Sequence, residues 1–233
     1  MQDPDRRHLI KAAALLAAAP VAASAQTPAA TAAQGVVGAF SPKPLPFDPK
    51  SVMGLSERLL VSHHDNNYVG AVTRLGAISK QLAALDPATA PGFQLNGLKR
   101  EELIAWNSMI LHEVYFSGLG APNRPGAALA QAIERDFGSE ARWRAEFSGF
   151  GKALGGGSGW VVLVYSHHEH RLMTHWAADH THNLAWSSPL LALDMYEHAY
   201  AMDYGARAAG YVDAFMAAIN WRFADGLYAR ASA

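Results

Sequence analysis

The chain has 233 residues, half of them hydrophobic, and a formal net charge of −1, which permits a sizeable core but leaves no basic field for nucleic acid or an anionic membrane. Cysteine is absent, excluding disulfides, thiolate zinc sites, iron–sulfur clusters and a cysteine nucleophile. Any metal must be held by nitrogen and oxygen, and eleven histidines make imidazole the available nitrogen donor.

The N-terminus reads as an address. Arg6 and Arg7 precede Leu9-Ile10-Lys11, an Ala/Leu run follows, and Ala23-Ser24-Ala25 closes it. This is the layout of a cleavable signal, residues 1–25, with a twin-arginine-like start. The expected location is therefore exported, periplasmic or secreted. The apolar run is too short for a permanent membrane anchor. Residues 26–50, rich in Ala, Pro and Thr, read as an extended linker.

A long helix is expected from Ser56, a plausible N-cap, to about Leu85, with Leu75, Ile78, Leu82 and Leu85 at helical spacing. A loop over Asp86–Gly92 leads to an antiparallel partner, Lys99–Gly118. Two shorter helices are expected at Ala127–Phe137 and Glu140–Leu154, ended by a glycine-rich stretch. Trp160–Tyr165 and Arg171–Ala177 read as a β-hairpin, Leu190–Leu193 as a short third strand, and the remainder as helical. The fold class is α+β, an antiparallel long-helix hairpin followed by a three-stranded antiparallel sheet wrapped by helices. The corresponding domains are 51–122 and 123–233.

The chemistry centres on Asp194-Met195-Tyr196-Glu197-His198. A carboxylate and an imidazole four apart can share an ion if the segment is helical or nearly so. That spacing alone is common and needs partners. His63 and His112 lie on or near the apolar sides of the two long helices, where an unpaired imidazole is costly. Each by itself reads more readily as a core histidine bonded to a carbonyl. The cluster His167, His168, Glu169, His170 reads as a solvated turn. His112-Glu113 lacks the second histidine that a zinc-protease helix requires, since Phe116 stands there.

Taken together, Leu55–Leu75, Trp106–Asn123, Gly157–Trp160, Leu193–Tyr204, Ala132–Ser139 and Ile219–Trp221 resemble the iron/manganese superoxide dismutase family, a likeness running from about Pro44 to Arg230. The family's D-x-W-E-H-A-Y motif has its counterpart in Asp194-Met-Tyr-Glu-His-Ala-Tyr200. The resemblance implies one Fe or Mn ion held by His63, His112, Asp194 and His198. It implies that superoxide is converted to dioxygen and hydrogen peroxide. It also implies a homodimer through Glu197 and His198. His180 stands where manganese members often place the glutamine that bonds the metal-bound solvent and where some iron and metal-tolerant members have His, and Ser108 is too short to supply that amide, so the resemblance makes His180 the candidate catalytic solvent partner. Tyr115, Phe116, Trp160 and Tyr196 would wall the pocket. Other metal-dependent oxidoreductases or peroxidases, and a non-catalytic metal-binding envelope protein, are the competing classes.

The likeness departs at the substrate gate. The gateway tyrosine falls on Ala71, and Tyr68, the nearby candidate catalytic tyrosine, lies on another face of an ideal helix. A second-turn histidine becomes Asn67, and its cross-dimer tyrosine becomes Ala201. The entrance arginine becomes Ala208, with Arg207 one position early.

Overall fold

The computed structural model describes residues 35–233. The expected signal, residues 1–25, and the start of the linker lie outside the described residues. From Gly35 to Asp48 the chain has no regular secondary structure. It is anchored by single contacts, such as Phe40 edge-on against Trp106 at 5.5 Å.

The first long helix starts where the N-cap signal puts it. Ser56 Oγ accepts from Leu59 N at 3.1 Å, and Ser56 itself is held by Asp203 through both its backbone N–H and its hydroxyl. The helix is not uniform. Segment α1 (Glu57–Ser62) passes into a π-helical turn, His63–Tyr68, before α2 (Val69–Ala84) resumes. Val69 N bonds to His64 O, five residues back, which widens the turn and shifts the facing of everything beyond it. The partner helix α3 spans Gly92–Ser117 and so begins seven residues before the predicted Lys99. Its first two turns bury almost nothing, and without an apolar stripe they carried no periodicity to read.

Helices α4 (Ala127–Phe137) and α5 (Glu140–Ala153) follow the expected limits, α5 being capped by Ser139 Oγ on Arg142 N. The sheet has the order β2-β1-β3, all antiparallel, with β1 (Trp160–Ser166), β2 (Arg171–Ala177) and β3 (Ser187–Asp194). Every residue of β1 is buried, as a continuous apolar run in a central strand should be. Strand β3 is longer than the predicted Leu190–Leu193. A register shift between Leu163 and Val164 lets Pro189 sit in this edge strand, where its missing N–H is tolerated. Short helix α6 (Ala201–Tyr204), then α7 (Ala208–Ala217) and α8 (Trp221–Ala231), complete the chain. The core between helices and sheet is aromatic: Trp143 meets Trp221 at 5.1 Å, and Phe215 stacks on Tyr115 at 5.9 Å.

Sheet register positions the site. Trp160 opens β1 and pairs with Ala177, which closes β2, and with Asp194, which closes β3. Three chain segments therefore emerge from one end of the sheet. Gly159, just before Trp160, has φ +132°, and a Cβ there would lie 2.2 Å from Ala177 O; only glycine permits this approach.

Candidate metal centre

His63 begins the π turn and His112 lies late in α3, both only 1% exposed. Asp194 ends β3, fully buried. The i, i+4 reading required a helical or nearly helical segment from Asp194 to His198, and only its last part is helical. The backbone stays extended through Tyr196 and only then enters a single 3-10 turn, Glu197–Ala199, that carries His198. The strand end supplies the carboxylate and the tight turn folds the imidazole back over it.

The four side chains meet. One ligand atom from each of His63, His112, Asp194 and His198 lies within 4.8 Å of all the others. His63 Nε2 and His198 Nε2 both stand 3.1 Å from Asp194 Oδ2, and His112 Nε2 stands 3.5 Å from the same atom. The other carboxylate oxygen accepts from Tyr196 N at 2.9 Å. Tyr211, which the sequence reading missed, donates its hydroxyl to Asp194 O at 2.8 Å and so fixes the strand end. No motif marks Tyr211; it comes from α7, far along the chain.

His112 Nδ1 lies 2.7 Å from Ser108 O, an acceptor, so the proton is on Nδ1 and Nε2 carries the lone pair. That Nε2 is buried without a hydrogen-bond partner, as is His63 Nδ1. Burial lowers the His112 pKa to about 3 and that of His63 below its ordinary value, keeping both rings neutral. Burial pushes Asp194 the other way, but the hydrogen bonds from His198 and His63 overcome it and hold the carboxyl well below its usual range.

Residues 125–226 match the C-terminal domain of the iron/manganese superoxide dismutases. The chain is 62% identical over 192 residues to the "Superoxide dismutase [Fe]" of Cupriavidus metallidurans, covering 82% of this chain and 98% of that protein. The chain belongs to the iron/manganese superoxide dismutase family. It is also 34% identical over 182 residues to "Superoxide dismutase [Mn] 1" of Halobacterium salinarum, covering 76% and 89%. "Superoxide dismutase [Fe]" of Aquifex pyrophilus is 32% identical over 181 residues, covering 74% and 84%.

Around the cluster of this superoxide dismutase chain, His180 leaves the end of β2 and lies under Trp160, whose indole Nε1 donates to His180 Nδ1 at 2.9 Å. Asn107, a second residue that the sequence analysis missed, donates to His180 O at 2.5 Å. The His180 ring stacks on Tyr196 at 4.8 Å, and Tyr196 stacks on His198 at 5.4 Å. Phe116 and Tyr115 each lie 5.0 Å from the His63 ring.

Tyr68, expected on a different helical face from the gate position, is buried at the end of the π turn. The π turn carries it onto the buried side, 6.3 Å from Phe116, but its hydroxyl is engaged elsewhere, accepting from Lys43 N at 2.9 Å and donating to Glu113 at 3.1 Å. Its hydroxyl has no hydrogen bond to the four clustered side chains or His180 among the described residues. Of the altered gate positions, Ala71 is buried in α2 and Ala201 is exposed. Ala208 is buried, its methyl group packed close to Gly155, where an added Cβ would lie 3.0 Å away.

Proposed function

We propose that the chain dismutates superoxide, two superoxide anions and two protons giving one dioxygen and one hydrogen peroxide, with one Fe or Mn ion held by His63, His112, Asp194 and His198. The observation that carries this reading is the convergence of three imidazole Nε2 atoms on Asp194 Oδ2. Hydrogen bonding accounts for the His63 and His198 contacts but not for His112, whose Nε2 offers a lone pair toward another acceptor, whereas a cation between the four side chains would account for all of them. Three neutral nitrogens and one carboxylate oxygen suit both divalent and trivalent first-row ions. Bound Fe or Mn supplies the one-electron cycling that dismutation requires. The iron name of the relative at 62% identity favours iron.

The surrounding residues have separable roles in this reading. Asp194 supplies the compensating negative charge, oriented by Tyr196 N and Tyr211. His180 accepts the Trp160 N–H at Nδ1, so the neutral ring keeps its own proton on Nε2. Burial lowers its pKa and favours that neutral donor. Such a ring hydrogen-bonds to solvent or an anion beside the ion and holds a proton there. Tyr115, Phe116 and Trp160 keep the cavity dry. The small side chains at Ala71, Ala201 and Ala208, with Asn67, leave anion entry less guided than a tyrosine and an arginine would.

A homodimer through Glu197 and His198 belongs to the same reading. The His198 side chain is 26% exposed while its three partners are buried, and Glu197 beside it is exposed; a second copy would cover this open side. Light scattering of the wild type and of Glu197→Ala tests it, a monomeric wild type sinking the idea. Export through a twin-arginine signal at residues 1–25 is the remaining proposal, and the N-terminal sequence of the periplasmic protein tests it.

The decisive measurement combines metal analysis after growth with iron or manganese and superoxide removal by the purified protein. One ion per chain with rapid dismutation is expected, and a full complement of metal with negligible dismutation refutes the activity. His198→Ala should lose metal and activity together; retention of either refutes the ligand set.

A further inference from the structure

A second cavity, of about 530 Å3, lies between the Lys43–Pro46 segment, α3, β3 and α8. Its lining is more apolar than polar, with Ile110, Val114, Phe223 and Leu227 beside Ser117, His167 and Ser188. Phe116 belongs to two sites, lining this cavity while its ring lies 5.0 Å from His63.

The polar groups are unequally satisfied. Glu113 receives the Tyr68 hydroxyl and is paired with the Lys43 ammonium, so its charge is already compensated. Arg230, exposed in the last turn of α8, also lines the cavity and pairs with no carboxylate among the described residues. The cavity thus combines a lining more apolar than polar with one uncompensated guanidinium.

We propose that this cavity binds a small amphiphilic carboxylate, its hydrocarbon or aryl body against Val114, Phe223 and Leu227 and its carboxylate on Arg230. The volume is within the range of about 300–1,000 Å3 usual for small-molecule sites. A guanidinium matches a carboxylate with two parallel hydrogen bonds, giving orientation as well as attraction. A cationic amphiphile is disfavoured, because reaching Glu113 would require breaking its pairing with Lys43.

Calorimetric titration of the full-length, metal-loaded protein with sodium octanoate tests the site. One saturable site per chain with a dissociation constant below about 1 mM is expected. Octylammonium should give no saturable heat. Arg230→Gln should weaken octanoate about tenfold, the loss of one charge-assisted interaction. Leu227→Trp, which fills the cavity, should abolish binding. Arg230 is exposed, so its variant keeps the fold and decides the matter even if Leu227→Trp does not fold. The proposal is overturned by the absence of saturable octanoate binding up to about 5 mM, well beyond the expected constant. It is equally overturned by unchanged affinity in Arg230→Gln, or by octylammonium binding as tightly as octanoate.

Discussion

At the scale of single residues, the four-residue cluster depends on how His112 is held from behind. Ser108 O orients His112 and commits its Nδ1 proton, leaving Nε2 available to a metal. Trp160 does the equivalent for His180, with the opposite outcome, because an indole N–H donating to Nδ1 leaves the His180 proton on Nε2. Trp160→Phe removes that donor and frees the tautomer. We expect catalytic turnover to fall about tenfold or more, the usual cost of losing an outer partner, with metal content retained. Steady-state kinetics together with metal analysis checks this, and unchanged turnover would show that the tautomer is set by something other than the indole.

Among the elements, the π turn at His63–Tyr68 and the end of β3 at Asp194 both lie at the cluster. The π turn exposes its first residue to the site while turning Tyr68 inward, toward Lys43 and Glu113. The start of this helix is tied to the element beyond the ligand turn. Ser56 caps α1 and gives two hydrogen bonds to Asp203 of α6, four residues after the end of the Glu197–Ala199 turn. Ser56→Ala removes the cap and the hydroxyl bond to Asp203 together. Stability should drop by about 1–2 kcal/mol, since the cap alone is worth about 1 kcal/mol. Urea denaturation of the metal-loaded protein measures the change, and a difference within experimental error would show that the tie is energetically idle.

For the whole molecule, burying neutral imidazoles links folding to pH. His63 and His112 have folded pKa values lowered by burial, His112 to about 3 from an ordinary 6.5. Above about pH 6.5 neither state binds these protons, so the stability is fully present. Below it the unfolded chain takes up protons that the folded chain refuses, so stability falls with falling pH, by about 1.4 kcal/mol per pH unit for each such site, until the folded pKa is reached. The metal-free protein should therefore melt at a constant temperature from pH 8 to about 6.5 and progressively lower toward about pH 4. A melting temperature that stays level down to pH 5 would mean that the rings are charged in the folded state.

Local physics made much of this legible without coordinates. Ser56 announces the first helix, the apolar run Trp160–Tyr165 announces a buried central strand, and the 194–200 motif with His63 and His112 carries the likeness to the family. These readings succeed because capping, periodicity and ligand type are properties of neighbouring residues. Other features were invisible for a common reason. The weakly buried first turns of α3 and the bulge that admits Pro189 into β3 depend on which surfaces face a neighbour and which face water. Tyr211 on Asp194 O, Asn107 on His180 O and the Trp160–His180 bond join groups 17, 73 and 20 residues apart. The sequence by itself therefore determined the family and named the four side chains that the fold brings together. Only the tertiary structure decided the orientation of those donors, the engagement of Tyr68 away from the cluster, and the cavity beside Arg230, because each is fixed by packing between segments that carry no local trace of one another.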